Sequence, residues 1–136
     1  MINFFTETLN FSLKNEQNYS DWISNCIEKF NLDEGEISYN FLTDNELLQI
    51  NKDALNHDYY TDIITFDLRI SDLISGDIFI SIDRIKENAK KFNVDFETEL
   101  KRVVIHGLLH IIGFNDHTDA EKQEMRKQEE LCMAKF

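Results

Sequence analysis

Three histidines near the C-terminal end have a spacing that fits a metal site. His106 and His110 are four residues apart in an apolar run, and His117 follows a glycine, Gly113. Residues four apart on a helix lie on the same face, with Cβ atoms roughly 5–6 Å apart, so that two imidazoles can bind one zinc ion. A glycine suits the end of such a helix, where a left-handed residue reverses the chain. The pattern predicts a zinc ion held by His106, His110 and His117, with a fourth position open to water, as in catalytic zinc sites.

The residue after His106 narrows the chemistry of this site. Zinc proteases of the H-E-x-x-H type use the glutamate that follows the first histidine as the general base. This chain has Gly107 there, which has no side chain to take a proton, and this argues against a protease of that type. We expect Gly107 instead to allow the close approach of another backbone or of a bulky substrate.

Three sequence blocks resemble one known family. Residues 106–117 resemble the pattern H-G-x-L-H-L-x-G-Y-D-H, residues 51–66 resemble a stretch that ends in P-T-D/N-V-L-S-F, and residues 76–80 resemble a G-D-I/L-x-I strand. All three patterns are those of the YbeY family, metal-dependent endoribonucleases that act as ribosomal RNA maturation factors. The blocks follow the family's order, and the resemblance covers nearly the whole chain.

This resemblance implies a function, a cofactor and partners. It implies a zinc-dependent endoribonuclease, with one Zn2+ per chain, that cleaves single-stranded RNA in the 3′-end maturation of small-subunit rRNA and in ribosome quality control. The implied partners are ribosomal RNA, the small ribosomal subunit and its assembly factors, with no membrane and no DNA. An α+β fold is implied as well.

Two departures from the family pattern affect the site. When Asp116 is matched to the aspartate of the pattern, Asn115 is an extra residue, and the spacing is H-x3-H-x6-H instead of H-x3-H-x5-H. We predict His117 as the third ligand, but Asp116 could coordinate the metal instead, orient a ligand or transfer a proton. The second departure is Leu55, which stands where many members carry an arginine implicated in RNA processing.

Substrate contacts are predicted at two places. Residues 84–102 contain six basic and four acidic residues and lead into the histidine helix, which predicts a local basic rim with Lys101 and Arg102 near the substrate. Thr61 and Asp62 precede a predicted strand, where side chains often line a cleft. We therefore predict these two residues at the edge of the active site.

Composition bounds the class of protein. The chain has 136 residues, which predicts one metallohydrolase-like domain over 1–136, and its formal net charge of −12 argues against a nonspecific nucleic-acid binder. No apolar run approaches the ~18 residues of a membrane span, and the N-terminus lacks the pattern of a signal peptide. We expect a cytoplasmic protein in which Cys26 and Cys132 are free thiols.

The sequence leaves the proton-transfer group and two other functions open. Without a glutamate after His106, proton transfer falls to hydroxide on the metal, to Asp116 or to the RNA 2′-hydroxyl. A metal-dependent hydrolase with a non-RNA substrate would use the same site, because the ligands alone fix no substrate. A non-catalytic ribosome-assembly factor with a structural zinc is the other alternative, and Leu55 and the acidic balance favour it.

Hydrophobic periodicity predicts the elements that position these residues. The fold class is α+β, with a single four-stranded mixed sheet covered by about five helices and the metal site on a central helix. The predicted strands are 2–9, 36–42, 62–68 and 76–81, and the predicted helices are 20–30 with Ser20 as the N-cap, 43–55, 82–92, 96–112 and 119–135.

Overall fold

The computed structural model describes residues 1–6 and 10–136. They form a four-stranded sheet and five helices, so the predicted α+β architecture is confirmed. Among the described residues, no helix is both long enough and apolar enough to span a membrane. The elements in chain order are β1 (Ile2–Thr6), α1 (Glu16–Lys29), β2 (Asp33–Leu42), α2 (Asp44–Leu55), β3 (Ile63–Asp67), β4 (Leu73–Ser81), α3 (Ile82–Phe92), α4 (Phe96–Ile112) and α5 (Asp119–Met133).

The sheet is mixed and has the strand order β1-β2-β4-β3. Strands β1, β2 and β4 run parallel, and β3 runs antiparallel to β4. In β2, buried Ile37, Tyr39 and Phe41 alternate with less buried residues, because successive side chains of a strand point to opposite faces. The buried face of the sheet receives the apolar side of α4.

Helix α4 lies against β3 and β4. Gly107 permits this close packing, since a Cβ at that position would lie 2.8 Å from Ile63 Cδ1 and 3.1 Å from Ile78 Cγ2. The groups that Gly107 admits are therefore side chains of the sheet, and not another backbone or a substrate. The apolar side of this helix is buried along its length, at Leu100, Val103, Val104, Gly107, Leu108 and Ile111.

Helix α5 packs along α4 and is tied to α1. It begins with a capping box, in which the Thr118 hydroxyl accepts from the Glu121 N–H and the Glu121 carboxylate accepts from the Thr118 N–H. Near its other end, Trp22 Nε1 donates to the Cys132 carbonyl at 2.7 Å. Cys26 and Cys132 are buried free thiols, as predicted.

Three elements begin three or four residues earlier than predicted. Helix α1 begins four residues before Ser20, because Tyr19 is buried and belongs to the apolar face of the helix. Strands β2 and β4 each begin three residues earlier than predicted, since Asp33 pairs with Leu73 across the sheet. Of the first predicted strand, residues 7–9 lie outside the described part of the chain.

Candidate metal centre

Helix α4 brings the first two predicted ligands together. His106 and His110 lie one turn apart on the same face, and their Nε2 atoms are 3.0 Å from each other. Both side chains are partly exposed on a helix that is otherwise mostly buried. The apolar residues around them hold the helix against the sheet, so the two imidazoles are presented from a rigid support.

The turn after α4 supplies the third group of the cluster. Gly113 ends the helix with φ +127°, and its N–H is bonded to the carbonyls of Leu109 and His110. This reversal returns Asp116 over the two imidazoles. Its Oδ2 lies 3.4 Å from the Nε2 of His106 and 3.3 Å from that of His110. The predicted role of the glycine in reversing the chain is thus confirmed.

Histidine 117, the predicted third ligand, lies outside this cluster. Its side chain is exposed, and it is not part of the group of ligand atoms that lie within 4.8 Å of one another. An ungapped count favours Asp116, the alternative ligand already predicted, because five residues separate His110 from Asp116, as in the H-x5-H spacing of the family pattern. In that count Asp116 occupies the place of the third histidine, and Asn115 is not an insertion.

A buried carboxylate fixes the orientation of His106. Glu129 of α5 is only 2% exposed, and its Oε2 lies 2.6 Å from His106 Nδ1. A carboxylate only accepts hydrogen bonds, so Nδ1 carries the proton and Nε2 keeps its lone pair. That lone pair faces His110 and Asp116. A carboxylate behind a ligand histidine is the usual companion of a bound metal ion, and this donor set therefore fits a metal.

The same carboxylate belongs to a buried network of charges. Arg102 forms two hydrogen bonds with Glu99, at 2.9 and 2.6 Å, and its Nη1 lies 3.6 Å from Glu129 Oε1. Glu99 and Glu129 are both almost fully buried, and the guanidinium offsets their charge. The predicted substrate contact Arg102 is therefore directed at these carboxylates, although it also lines the cleft at the cluster.

Burial and neighbouring charges act on the ionisable groups of the site. The pKa of His110 lies below its ordinary value, first because burial disfavours the charged ring and then because His106 is near; Asp116 opposes this effect. A lowered pKa keeps the imidazole neutral, which is the form that binds metals. The pKa of Asp62 is raised, chiefly by burial, while Arg102 and His106 favour its charged form. Asp62 is thus near enough to Arg102 and His106 for their charges to act on it, and its place at the edge of the active site stays a prediction.

Two other predicted substrate residues lie elsewhere. Thr61 donates to the Ile63 carbonyl at 3.3 Å and lines a separate cavity of about 220 Å3 together with Leu55. Lys101 places its Nζ 3.8 Å from the centroid of the Phe136 ring. The structure brings neither residue to the histidine cluster.

The cleft at the cluster has cations that the sequence reasoning missed. It has a volume of about 260 Å3, and Lys122 and Arg126 of α5 line it beside His106 and Asp116. Glu129 was missed too, although one signal was available. It stands between Met125 and Cys132 on the buried stripe of α5, where a charged residue is out of place.

The fold and the cleft define an α+β domain with a cluster of two histidines and one carboxylate that could hold a metal ion. A family model described as Endoribonuclease YbeY matches residues 2–136. Proteins named Endoribonuclease YbeY are 52% identical in Flavobacterium johnsoniae (all of this chain, 97% of the relative) and 50% identical in Flavobacterium psychrophilum (all of this chain, 96% of the relative). The chain belongs to the YbeY endoribonuclease family.

A solved structure has the same fold. The solution structure of TM1509 from Thermotoga maritima superposes with a TM-score of 0.68 at 27% identity, over 99% of this chain and 88% of that one. Family membership supports a role as an RNA endonuclease and confirms the resemblance seen in the three sequence blocks.

Proposed function

We propose that this chain is a zinc-dependent endoribonuclease that cleaves single-stranded RNA in the 3′-end maturation of small-subunit rRNA and in ribosome quality control. The observation that carries the proposal is the convergence of His106, His110 and Asp116 in an open cleft of a chain from an endoribonuclease family. The proposal includes one Zn2+ per chain, a cytoplasmic location and the small ribosomal subunit with its assembly factors as partners.

The residues of the cluster would hold the metal. Two histidines and one carboxylate form a ligand set that catalytic zinc sites use, with the remaining position open. Zinc bound there supplies Lewis-acid activation of a phosphoryl oxygen and of water. Glu129 holds His106 in the tautomer that offers Nε2. His117 remains the alternative third ligand predicted from the sequence.

The cleft residues would bind and position the RNA backbone. Lys122 and Arg126 are one turn apart on α5, exposed, and beside the cluster. Cations at such places attract phosphate even when the net charge of the protein is negative. We propose that these two residues take over the role of the arginine that Leu55 replaces. Arg102 acts on the substrate indirectly, by holding the carboxylates beneath His106.

The proposed activity is tested with a single-stranded oligoribonucleotide that spans the 3′ end of small-subunit rRNA. We expect the zinc-loaded protein to cleave it, and we expect chelation or His110→Ala to abolish cleavage. A DNA oligonucleotide of the same sequence is the matched control and should stay intact. Cleavage of simple phosphodiesters without cleavage of RNA would instead support a hydrolase with another substrate. Binding to small subunits without any cleavage would support an assembly factor.

Measuring the metal content of two variants distinguishes Asp116 from His117 as the third ligand. We expect about one zinc per chain in the wild type and in His117→Ala, and a large loss in Asp116→Ala, because Asp116 Oδ2 lies 3.4 Å from His106 Nε2 and 3.3 Å from His110 Nε2. Metal analysis of protein purified without added metal gives the result and also identifies the ion, since this ligand set suits iron as well. The reverse pattern would establish His117 as the ligand.

A further inference from the structure

A second cavity lies next to the cleft at the metal cluster. It has a volume of about 360 Å3 and lies between the end of α3, the start of α4 and the outer side of α5. Arg102, Arg126 and Glu129 line both cavities. The two cavities adjoin along α5 and are together called the groove, and the size of the second cavity is within the range of small-molecule sites, about 300–1,000 Å3.

The far end of this groove is apolar and exposed. Phe92 is 49% exposed and Val94 is 41% exposed, and both line the second cavity. The Phe92 ring lies beside two cations, with the Arg102 guanidinium 6.0 Å and the Lys91 Nζ 5.8 Å from its centroid. An exposed aromatic ring flanked by cations is the combination with which proteins hold the bases of single-stranded nucleic acids.

The charged side chains along the groove differ in whether they form ion pairs. Glu99 and Glu129 are paired with Arg102 and His106. Arg126 makes no ion pair within 4.0 Å in residues 1–6 and 10–136, and the exposed Glu130 is the remaining carboxylate of the lining. Arg126 is therefore available to a phosphate at the junction of the two cavities.

We propose that the second cavity is a nucleoside subsite, in which the base next to the scissile phosphate stacks on Phe92 while its phosphate lies against Arg126. The proposal rests on the proposed endoribonuclease function and adds the path of the strand, which runs from the metal cluster along α5 to the end of α3. Stacking is tolerant of sequence, because every base has an aromatic face. The subsite therefore selects unpaired nucleotides and not a particular base.

The test is the affinity of metal-free protein for a short single-stranded oligoribonucleotide, measured by fluorescence anisotropy so that no cleavage occurs. We expect Phe92→Ala to weaken binding roughly five- to a hundredfold, the usual loss for one stacked base. Phe92→Trp should keep the affinity. Phe5→Ala is the matched control, since Phe5 is 47% exposed but lies on β1, and it should change nothing.

A second measurement removes the base instead of the ring. The wild type should bind an oligonucleotide with one abasic position at the subsite more weakly than it binds the intact strand. Phe92→Ala should bind the two oligonucleotides equally well. Equal affinity of the wild type and Phe92→Ala for the intact strand would overturn the subsite while leaving the endoribonuclease function in place. A wild type that neither binds nor cleaves RNA would overturn the proposed function, and the subsite with it.

Discussion

Glu129 occupies a position where an apolar residue would be expected. It lies on the buried face of α5, and its carboxylate contacts His106 Nδ1 on α4 at 2.6 Å. Burying a carboxylate is costly unless it is paired and hydrogen-bonded. Here the imidazole and Arg102 provide the partners, so the buried charge is offset and the carboxylate fixes the orientation of the His106 ring.

We predict that Glu129→Gln weakens metal binding by about 10–100-fold, the usual effect of changing the group behind a ligand histidine. The amide still fits the space, but it no longer offers a negative charge to the Nδ1 proton. Competition with a chromogenic chelator measures the affinity, and Glu124→Gln, on the exposed side of α5, is the control. A zinc affinity equal to that of the wild type would show that Glu129 does not position His106.

Individual site residues could be predicted from the sequence only where their placement follows from local spacing along a helix. The pair His106 and His110 could be predicted, because helical periodicity alone puts both on one face. The third group depended on how the turn was aligned with the pattern: matching Asp116 to its aspartate favours His117, and the ungapped count favours Asp116. Glu129 could not be assigned to His106 from spacing, since the two residues are 23 positions apart on different helices.

At the element scale, the site depends on how α4 ends. Gly113 has φ +127°, which L side chains rarely adopt, and the turn that it makes carries Asp116 back to the imidazoles. The cluster is therefore built by a helix terminus as much as by a helix face.

We predict that Gly113→Ala destabilises the protein by about 1–2 kcal/mol, the usual cost of a side chain in a left-handed conformation, and also weakens metal binding. Thermal unfolding of the metal-free protein measures the first effect, and zinc affinity measures the second. The two effects can be measured separately. Backbone strain lowers the stability of the metal-free protein, whereas the displacement of Asp116 lowers only the affinity for metal. Unchanged zinc affinity in a destabilised Gly113→Ala variant would show that the turn does not set the cluster.

Helix starts were predictable where a side-chain cap marks them. Thr43 with Glu46 and Thr118 with Glu121 form the capping boxes that begin α2 and α5. Helix α1 has no side-chain cap, since it begins after Asn15 in a left-handed conformation, and its start was placed too late. The first residues of β2 and β4 are held by pairing with each other across the sheet. The alternation of buried and exposed residues within one strand carries no information about this pairing.

For the molecule as a whole, a metal ion would join two packed helices through the turn between them. The cluster links α4 to the turn before α5, and Glu129 extends the link to α5 itself. Anything that binds only the folded state stabilises that state.

We predict that chelation lowers the midpoint of thermal unfolding by on the order of 10 °C, since a ligand at about 100 times its Kd contributes about 2.7 kcal/mol. Differential scanning calorimetry with and without chelator measures the shift. His110→Ala should unfold at the same temperature under both conditions. A chelator effect that persists in that variant would place the stabilising metal elsewhere.

The strand order of the sheet could not be predicted from the sequence. Alternation identified strands, and the resemblance implied their α+β class, but nothing in the residues says that β4 lies between β2 and β3. That order rests on the pairing of β4 with both β2 and β3, and the β2–β4 pairing joins residues about 40 positions apart in the chain, such as Ser38 and Asp77.

The position of α5 has a consequence for the newborn protein. Ribosomes make α4 before α5, so a growing polypeptide contains His106 before it contains Glu129. The cleft also lacks a wall at that stage, because Lys122 and Arg126 belong to the last helix. The groove that would hold RNA is therefore completed only after that helix has emerged, and an unfinished chain carries both histidines without Glu129 and without these two cations.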